Sequence, residues 1–154
     1  MTPAIDKAKK AKIEFRIHEY DHDPASASYG EEAALKLGID GDRVFKTLVV
    51  SGSNGLSVAI LPVSHLLDLK RIAKALGVKK IAMADKSEVE RATGYVLGGV
   101  SPLGQKRKLV TVIDDSATSF DTIFVSAGRR GLQIELSPED LTALTRGRFH
   151  PITK

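Results

Sequence analysis

The stretch from Gly94 to Lys108 constrains the fold of this chain more than any other. It contains four glycines and one proline, and it ends in three consecutive cations. Glycine lets a backbone take up unusual angles and approach a ligand closely, and successive unpaired N–H groups can bind an anion. We therefore predict a short apolar strand at its start, running into a loop that is suited to ligand binding.

The chain as a whole has the size and composition of one ordinary domain. It has 154 residues, of which 42% are apolar and 27% are charged, which is enough to bury a core without disulfides or a structural metal. No segment is apolar over the length of a bilayer, and the first twelve residues lack the core of a signal peptide. We expect a single domain over residues 1–154, located in the cytoplasm, with no membrane partner.

Several classes of chemistry are excluded by what the sequence lacks. Without cysteine, a monomer has no disulfide, no thiolate metal site and no cysteine nucleophile. The chain has no Gly-x-Ser-x-Gly elbow, no Walker loop and no Gly-x-Gly-x-x-Gly motif after a strand. A metal site can be drawn at His18 and His22 beside Asp21, but no further ligand follows at a recognisable spacing. We expect neither a metal nor a cofactor.

Local signals predict four or five helices and about seven strands. Capping boxes at Ser28–Glu31 and Asp85–Glu88 start two helices, which Gly38 and Gly94 end. The other helix starts are Thr2-Pro3, Ser64 or Asp68, and Ser137-Pro138. The strands are Phe15–Tyr20 (Phe15 and Ile17 on one face), Val44–Val50, Leu56–Leu61, Lys79–Met83, Leu109–Ile113, Ile123–Ser126 and Leu132–Leu136. Their mixed order predicts an α/β or α+β domain with a mixed sheet.

The positive charges are clustered, although the net charge of +4 is modest. Clusters of lysine and arginine suit a polyanion such as RNA, because phosphate contacts supply most of the sequence-independent affinity. Solvated surface faces would produce the same pattern. The residues that we take as candidates for RNA contact are Lys70, Arg71, Lys74, Lys106, Arg107, Lys108, Arg129 and Arg130.

Lys46 interrupts the most apolar strand in the first half of the chain. Its neighbours from Phe45 to Val50 have the composition of a buried strand, so the lysine must either extend to the surface or face a polar cavity. In a cleft, its ammonium group would suit a phosphate or a developing oxyanion. A lysine on a half-exposed strand is the ordinary alternative.

The glycine-rich segment Gly98–Gly104 is either an ordinary loop or the wall of a pocket. Three features favour a pocket: the apolar Tyr95–Leu97 before it, the rigid Ser101-Pro102 step within it and the cations directly after it. A backbone of this kind beside positive charges suits a carbonyl or phosphate group at the end of an RNA.

Seen together, six short motifs resemble the YbaK members of the YbaK/EbsC family. They are Tyr20-Asp-His-Asp-Pro24, Phe45-Lys-Thr-Leu48, Met83-Ala-Asp-Lys86, Thr93-Gly-Tyr95, Gly98-Gly-Val-Ser-Pro-Leu-Gly-Gln105, and Val125-Ser126 with Gly131. The resemblance covers nearly the whole chain. It implies an aminoacyl-tRNA deacylase related to the editing domain of bacterial prolyl-tRNA synthetase, with a mixed, barrel-like β-sheet surrounded by helices.

The resemblance also implies roles for particular residues. Lys46 would hold the terminal adenosine or its phosphate, while the loop formed by Gly98, Gly99, Val100 and Ser101-Pro102 would position the ester carbonyl and stabilise its oxyanion. Phenylalanine is expected at position 29, so the hydroxyl of Tyr29 adds polarity to the pocket. The expected pocket walls are Tyr20, Tyr29, Thr47 and Ser126.

The reaction implied by the resemblance needs neither a metal nor a protein nucleophile. In the YbaK branch, the thiol of Cys-tRNA(Pro) attacks its own ester and releases a thiolactone, and proximity alone can contribute about 7–11 kcal/mol to such a step. We expect the tRNA acceptor end as substrate, prolyl-tRNA synthetase as partner and no DNA. Two alternatives stay open: a non-catalytic RNA-binding module, and a deacylase for another substrate such as Ala-tRNA(Pro).

Overall fold

The computed structural model describes all 154 residues, Met1–Lys154. None of its helices is both long enough and apolar enough to cross a membrane. A short 3-10 helix covers Asp115–Ser119. The other elements, in chain order, are α1 (Pro3–Ala11), β1 (Phe15–Glu19), α2 (Tyr29–Leu37), β2 (Phe45–Gly52), β3 (Gly55–Pro62), α3 (Leu69–Leu76), β4 (Ile81–Met83), α4 (Lys86–Thr93), β5 (Val110–Asp114), β6 (Ile123–Arg129), β7 (Leu132–Leu136), α5 (Pro138–Thr145) and β8 (Arg148–His150).

The eight strands form two sheets, which confirms the predicted mixed α+β fold. The three-stranded sheet has the antiparallel order β1-β7-β6, and the five-stranded sheet has the mixed order β4-β2-β3-β5-β8. A single parallel bridge between Val44 and Phe124 joins them, so the strands do not close into a barrel. The strand that the sequence analysis missed is β8, three residues that pair in parallel with β5.

The main hydrophobic core lies between the two sheets. Phe45 and Ile60 enter it from the five-stranded sheet, Val125 and Ile134 enter it from the three-stranded sheet, and Ile5 enters it from α1. Each fully buried aliphatic side chain stabilises the fold by about 1.5–3 kcal/mol. The shared core fixes one sheet against the other, and with them the two walls of the cleft described below.

Most predicted helix starts are confirmed by their capping contacts. The capping box of Asp85 and Glu88 is present at α4, and the hydroxyl of Ser137 accepts a hydrogen bond from the Asp140 amide at the start of α5. Asp68, rather than Ser64, caps α3. The capping box predicted at Ser28–Glu31 is wrong, because the Ser28 side chain makes no capping hydrogen bond.

The first strand buries only one of the two residues on the face that its alternation predicts, since Phe15 packs against the main core. Ile17 is exposed, whereas the ring of His18 packs against Phe124 with 5.0 Å between ring centroids. The Nε2 atom of His18 also lies 2.8 Å from a carboxylate oxygen of Glu135. The face is therefore decided by Phe124 and Glu135, which lie more than a hundred residues away and leave no local pattern in β1.

The strand predicted at the start of the Gly94–Lys108 stretch is absent. Tyr95 turns into the core, where its buried hydroxyl donates a hydrogen bond of 2.6 Å to the carbonyl of Leu103. Burial raises the pKa of Tyr95 to about 12, so its proton stays available for this bond. Val96 and Leu97 are exposed instead of paired. One buried tyrosine thus ties the two halves of the loop together.

Candidate active site

A cleft of about 330 Å³ lies where the two sheets meet. One wall is β2 from Phe45 to Val49, and the other carries Ser126 of β6 and Gln133 of β7. The start of α2 and part of the glycine-rich loop close the remaining sides. No aspartate, glutamate, histidine or cysteine is among the 21 lining residues. The cleft therefore contains no side chain that could act as a carboxylate or imidazole base.

The cleft brings together half of the eighteen candidate residues: seven of the ten expected in catalysis or substrate binding and two of the eight expected to contact RNA. Nine of them line it, and they come from five separate parts of the chain. They are Tyr20, Tyr29, Lys46, Thr47, Gly98, Val100, Ser126, Arg129 and Arg130. Three predicted residues, Gly99, Ser101 and Pro102, are not among the lining residues. The loop thus presents only part of its length to the cleft.

Lys46 lies on β2 opposite Leu61 and supplies a positive charge to the cleft wall. Its Nζ atom donates a hydrogen bond of 2.7 Å to the backbone carbonyl of His65, and no carboxylate lies within ion-pair distance of it. Burial lowers the pKa of Lys46, an effect that Glu31 partly opposes. Because an ammonium group has three N–H donors, donors remain for a ligand.

The backbone of the glycine-rich loop packs so closely on its neighbours at two positions that neither could carry a side chain. A Cβ atom on Gly98, whose φ is +93°, would lie 2.6 Å from the Tyr29 ring, and one on Gly99 would lie 2.9 Å from the Arg129 Cα. The Gly99 amide donates to the carbonyl of Val96 at 2.9 Å, whereas the Gly98 and Val100 amides have no protein acceptor. Gly98 and Val100, which both line the cleft, therefore each have a backbone N–H group without a protein acceptor.

Arg130 fixes the loop and Tyr29 at the mouth of the cleft. Its guanidinium carbon lies 4.0 Å from the centroid of the Tyr29 ring, and its Nη2 atom donates to the carbonyl of Leu97 at 3.0 Å. A guanidinium stacked on an aromatic ring keeps its outward N–H groups free for other partners. Arg130 therefore both supports the cleft and places positive charge at its opening.

Ser101 and Pro102, which we expected to contact the substrate, are instead buried behind the loop. The Ser101 hydroxyl accepts a hydrogen bond from the amide of Leu103 at 3.2 Å, and its carbonyl accepts one from Gln105 at 2.9 Å. Ser101 has no exposed surface. These contacts determine the shape of the loop, and the Ser101 hydroxyl does not reach the cleft.

Gln133 is a polar side chain on the wall of the cleft that the sequence did not predict. This residue is only 7% exposed, and it lies directly across from Ser126 in the β6–β7 pair. Its Oε1 atom has no hydrogen-bond partner, and the same is true of the Thr47 hydroxyl. The alternation of Leu132, Gln133 and Ile134 predicts a solvent-facing glutamine, so the sequence carries no sign of its burial.

A histidine–carboxylate pair supports α2, which contributes to the cleft through its first residues. The Nδ1 atom of His22 lies 2.6 Å from the buried carboxylate of Glu32, which also accepts from the amide of Asp23 at 2.9 Å. Burial alone would raise the pKa of Glu32, but the two hydrogen bonds and the nearby positive charges lower it overall.

No group of three or more possible ligands is arranged around a metal position.

Replacing Glu32 with glutamine is expected to destabilise the protein at neutral pH by about 1–3 kcal/mol, because hydrogen bonds to a buried charge are replaced by neutral ones. The folded pKa lies below 4.5, so the wild-type contribution is present above pH 4.5 and is lost as the pH falls through the folded value. Urea unfolding between pH 3 and 7 measures both effects. Glu31→Gln, at an exposed neighbour, is the control and should change little.

Five of the eight cations predicted to contact RNA line three separate concave surfaces. Arg129 and Arg130 line the cleft, and Lys70 lines a shallow groove with Lys79 and Lys80. A third groove, of about 520 Å³, lies on the other side of the glycine-rich loop. Its four cations, none of which has an acidic partner, are Lys7, Arg107, Lys108 and Arg146. Arg71 lies 3.8 Å from Asp68, while Lys74 and Lys106 are exposed.

Residues 23–144 match the sequence profile of the aminoacyl-tRNA editing domain. The chain belongs to this family. It is also 42% identical over 155 residues to an Enterococcus faecalis protein named "Putative Cys-tRNA(Pro)/Cys-tRNA(Cys) deacylase EbsC", covering 99% of this chain and 93% of that protein. The matched profile spans every residue that lines the cleft except Tyr20, so the cleft belongs to the editing domain.

Two further similarities agree with membership of the aminoacyl-tRNA editing-domain family. The chain is 40% identical over 76 residues to a Shouchella clausii protein named "Proline--tRNA ligase". The aligned region covers 49% of this chain and 13% of that larger protein. A crystal structure described as "a putative trans-editing enzyme for prolyl tRNA synthetase" superimposes with a TM-score of 0.84 and 23% identity, covering 100% of this chain and 99% of the other. That superposition shows a shared fold. As a member of the editing-domain family, the protein is an enzyme that acts on aminoacyl-tRNA.

Proposed function

We propose that this editing domain removes cysteine from Cys-tRNA(Pro), acting in trans on tRNA that a synthetase has mischarged. One observation supports this choice above the others: the cleft offers unpaired backbone N–H groups and a lysine but no carboxylate, imidazole or thiol. Such a site can bind an ester and stabilise an oxyanion, but it is poorly equipped to activate a nucleophile. A substrate that carries its own thiol supplies the missing group.

The proposed reaction begins with attack of the substrate thiol on its own ester carbonyl. A carbon–sulfur bond forms, the carbonyl oxygen becomes an oxyanion, and the bond from carbon to the ribose oxygen then breaks. The thiol proton passes in net terms to the ribose hydroxyl, which leaves free tRNA and a cyclic cysteine thiolactone. Intramolecular attack requires only that the cleft hold the thiol and carbonyl together, and this arrangement can contribute about 7–11 kcal/mol at best.

Seven of the residues that line the cleft have a role in this proposal. The unpaired amides of Gly98 and Val100 donate to the oxyanion, and the lack of a side chain on Gly99 lets the loop approach the β6–β7 turn. Lys46 binds the terminal adenosine or its phosphate. The walls of the amino-acid pocket are Tyr20, Tyr29, Thr47 and Ser126.

Prolyl-tRNA synthetase is the proposed partner. The similarity to part of a proline–tRNA ligase places related domains within the enzyme that charges tRNA(Pro), and a separate domain that acts on the same tRNA would gain specificity by binding near it. Pull-down of the two purified proteins with and without tRNA(Pro) tests this association. Binding to an unrelated synthetase with equal affinity would contradict it.

Deacylation of a panel of aminoacyl-tRNAs tests the proposed reaction. We expect cysteinyl-tRNA(Pro) to be deacylated at least tenfold faster than seryl-, alanyl- or prolyl-tRNA(Pro), because only cysteine carries a thiol. Equal rates for the cysteinyl and seryl esters would exclude attack by the substrate thiol. Preferential hydrolysis of alanyl-tRNA(Pro) would instead assign the cleft to a small-side-chain deacylase.

The groove behind the loop is expected to bind the phosphates of the tRNA acceptor arm. Replacing both Arg107 and Lys108 with alanine should weaken tRNA binding about tenfold or more at 100 mM salt, and should lower the slope of log K against log salt by about two. Fluorescence anisotropy with labelled tRNA(Pro) measures both. Lys154→Ala, which removes a cation outside the groove, is the control, and an equal loss for this variant would argue against the groove.

A further inference from the structure

We propose that the side-chain amide of Gln133 binds the α-amino group of the aminoacyl ester, with the Thr47 hydroxyl as its partner on the opposite wall. This inference rests on the proposed deacylase function, since it assigns a recognition step within the same cleft. It concerns a part of the substrate that the thiol mechanism does not use.

Gln133 is a buried polar side chain at the cleft that the protein itself leaves incompletely paired. The residue is only 7% exposed and lines the cleft, yet the Oε1 atom of its amide has no hydrogen-bond partner. Buried side-chain amides are nearly always paired, and an unpaired one calls for an explanation. A ligand group that completes the amide when it enters the cleft supplies one.

Gln133 lies on one wall of the cleft, and a second unpaired side chain lies on the other. Gln133 pairs directly with Ser126 across β6 and β7, so it belongs to the wall contributed by the three-stranded sheet. Thr47, whose hydroxyl is also unpaired, lies on β2 of the five-stranded sheet. The two unpaired side chains therefore face the cleft from different sheets. A small polar group between the walls can accept or donate on both sides.

The positive charge of the cleft lining limits which groups can bind an amine there. An α-amino group needs hydrogen-bond acceptors, but the cleft lining contains no carboxylate and three cations, Lys46, Arg129 and Arg130. Neutral acceptors are therefore what the lining can offer, and the oxygens of Gln133 and Thr47 are the two that are buried and free. A neutral acceptor recognises the presence of an amine without requiring its positive charge.

The requirement for an amine distinguishes this site from a pocket that accepts any ribose ester whose acyl group carries a thiol. Aminoacyl groups and simple acyl groups share the ester and the ribose, so the amine is the feature that marks the former. A site built to pair with a polar group rejects a ligand without that group, because its own buried atoms are then left unpaired. Gln133 is thus assigned as a specificity-determining residue rather than a catalytic one.

The experiment compares two tRNA(Pro) molecules with stable 3′-amide linkages, one carrying cysteine and the other 3-mercaptopropionate, which keeps the thiol and lacks the amine. The Gln133→Met variant should bind the cysteinyl form at least tenfold more weakly than wild type does. Its affinity for the mercaptopropionyl form should change less than twofold. Thr47→Val should likewise weaken binding of the cysteinyl form and leave binding of the mercaptopropionyl form nearly unchanged.

The controls separate recognition from folding and from catalysis. Gln133→Glu restores an acceptor and should recover most of the affinity for the cysteinyl form. Equal weakening of both ligands by Gln133→Met, or no weakening of either, would overturn the assignment, as would Gln133→Glu behaving like Gln133→Met. Wild-type hydrolysis of cysteinyl-tRNA(Pro) is measured separately, so failure of the proposed reaction and failure of amine recognition give different results.

Discussion

Replacing Gly98 with alanine is expected to reduce deacylation about a thousandfold. The added methyl group would lie 2.6 Å from the Tyr29 ring and 2.7 Å from Nε of Arg130, at a φ of +93° that favours glycine. The loop, the tyrosine or the arginine must then move, and the unpaired amide of Gly98 loses its position. Loss of one oxyanion donor typically costs a factor of 10²–10³, and single-turnover deacylation of cysteinyl-tRNA(Pro) measures it.

Gly38→Ala is the matched control for this change. Gly38 also has a positive φ, +68°, but a Cβ atom there would meet nothing within 4 Å. The control therefore carries backbone strain of roughly 1 kcal/mol without a steric clash, and it lies at the end of α2. We expect a slightly lower melting temperature and unchanged activity. Equal loss of activity in both variants would show that instability, rather than the loop, explains the effect at Gly98.

Lys46→Met is expected to reduce kcat/KM for deacylation by about a hundredfold or more. The change keeps the length of the side chain and removes the one lysine in the cleft, where a charge interacts more strongly than in bulk water. Lys79→Met removes a lysine that lines a different groove and should retain activity. Full activity of Lys46→Met would refute the assigned role of Lys46.

The same variant should not be less stable than the wild type at neutral pH. Burial depresses the folded pKa of Lys46 below its unfolded value of 10.5, so the charged lysine disfavours folding at pH 7. That cost disappears as the pH rises through the folded pKa towards 10.5. The melting temperature of Lys46→Met at pH 7 should therefore equal or exceed that of the wild type, which separates the loss of activity from any loss of structure.

The helix boundaries were the most predictable part of the fold, because their signals are local. Asp85 and Glu88 lie three residues apart and satisfy each other's backbone groups, so the sequence alone contains the whole interaction. The same reasoning failed at Ser28, where the residue sits at the cap position but makes no side-chain bond. It also failed for β8, whose three residues form a strand only because β5 is available as a partner.

The candidate site was predictable where composition is unusual. Lys46 interrupts an apolar strand and Gly98 belongs to a glycine-rich segment, and both line the cleft. Gln133, which lies on an ordinary alternating strand, gave no such sign. Ser101 had the chemistry of a substrate contact, but the tight turn that buries its hydroxyl against the Leu103 amide forms only in the folded loop.

The glycine-rich loop separates two concave surfaces. Gly98 and Val100 face the cleft, while Pro102, Gly104 and Gln105 line the basic groove behind it. A few residues of backbone therefore form a common partition, held by the Tyr95 hydroxyl from within. The cleft and the groove are thus lined by neighbouring residues of one short segment, so a substitution chosen to alter one surface must be tested for its effect on both.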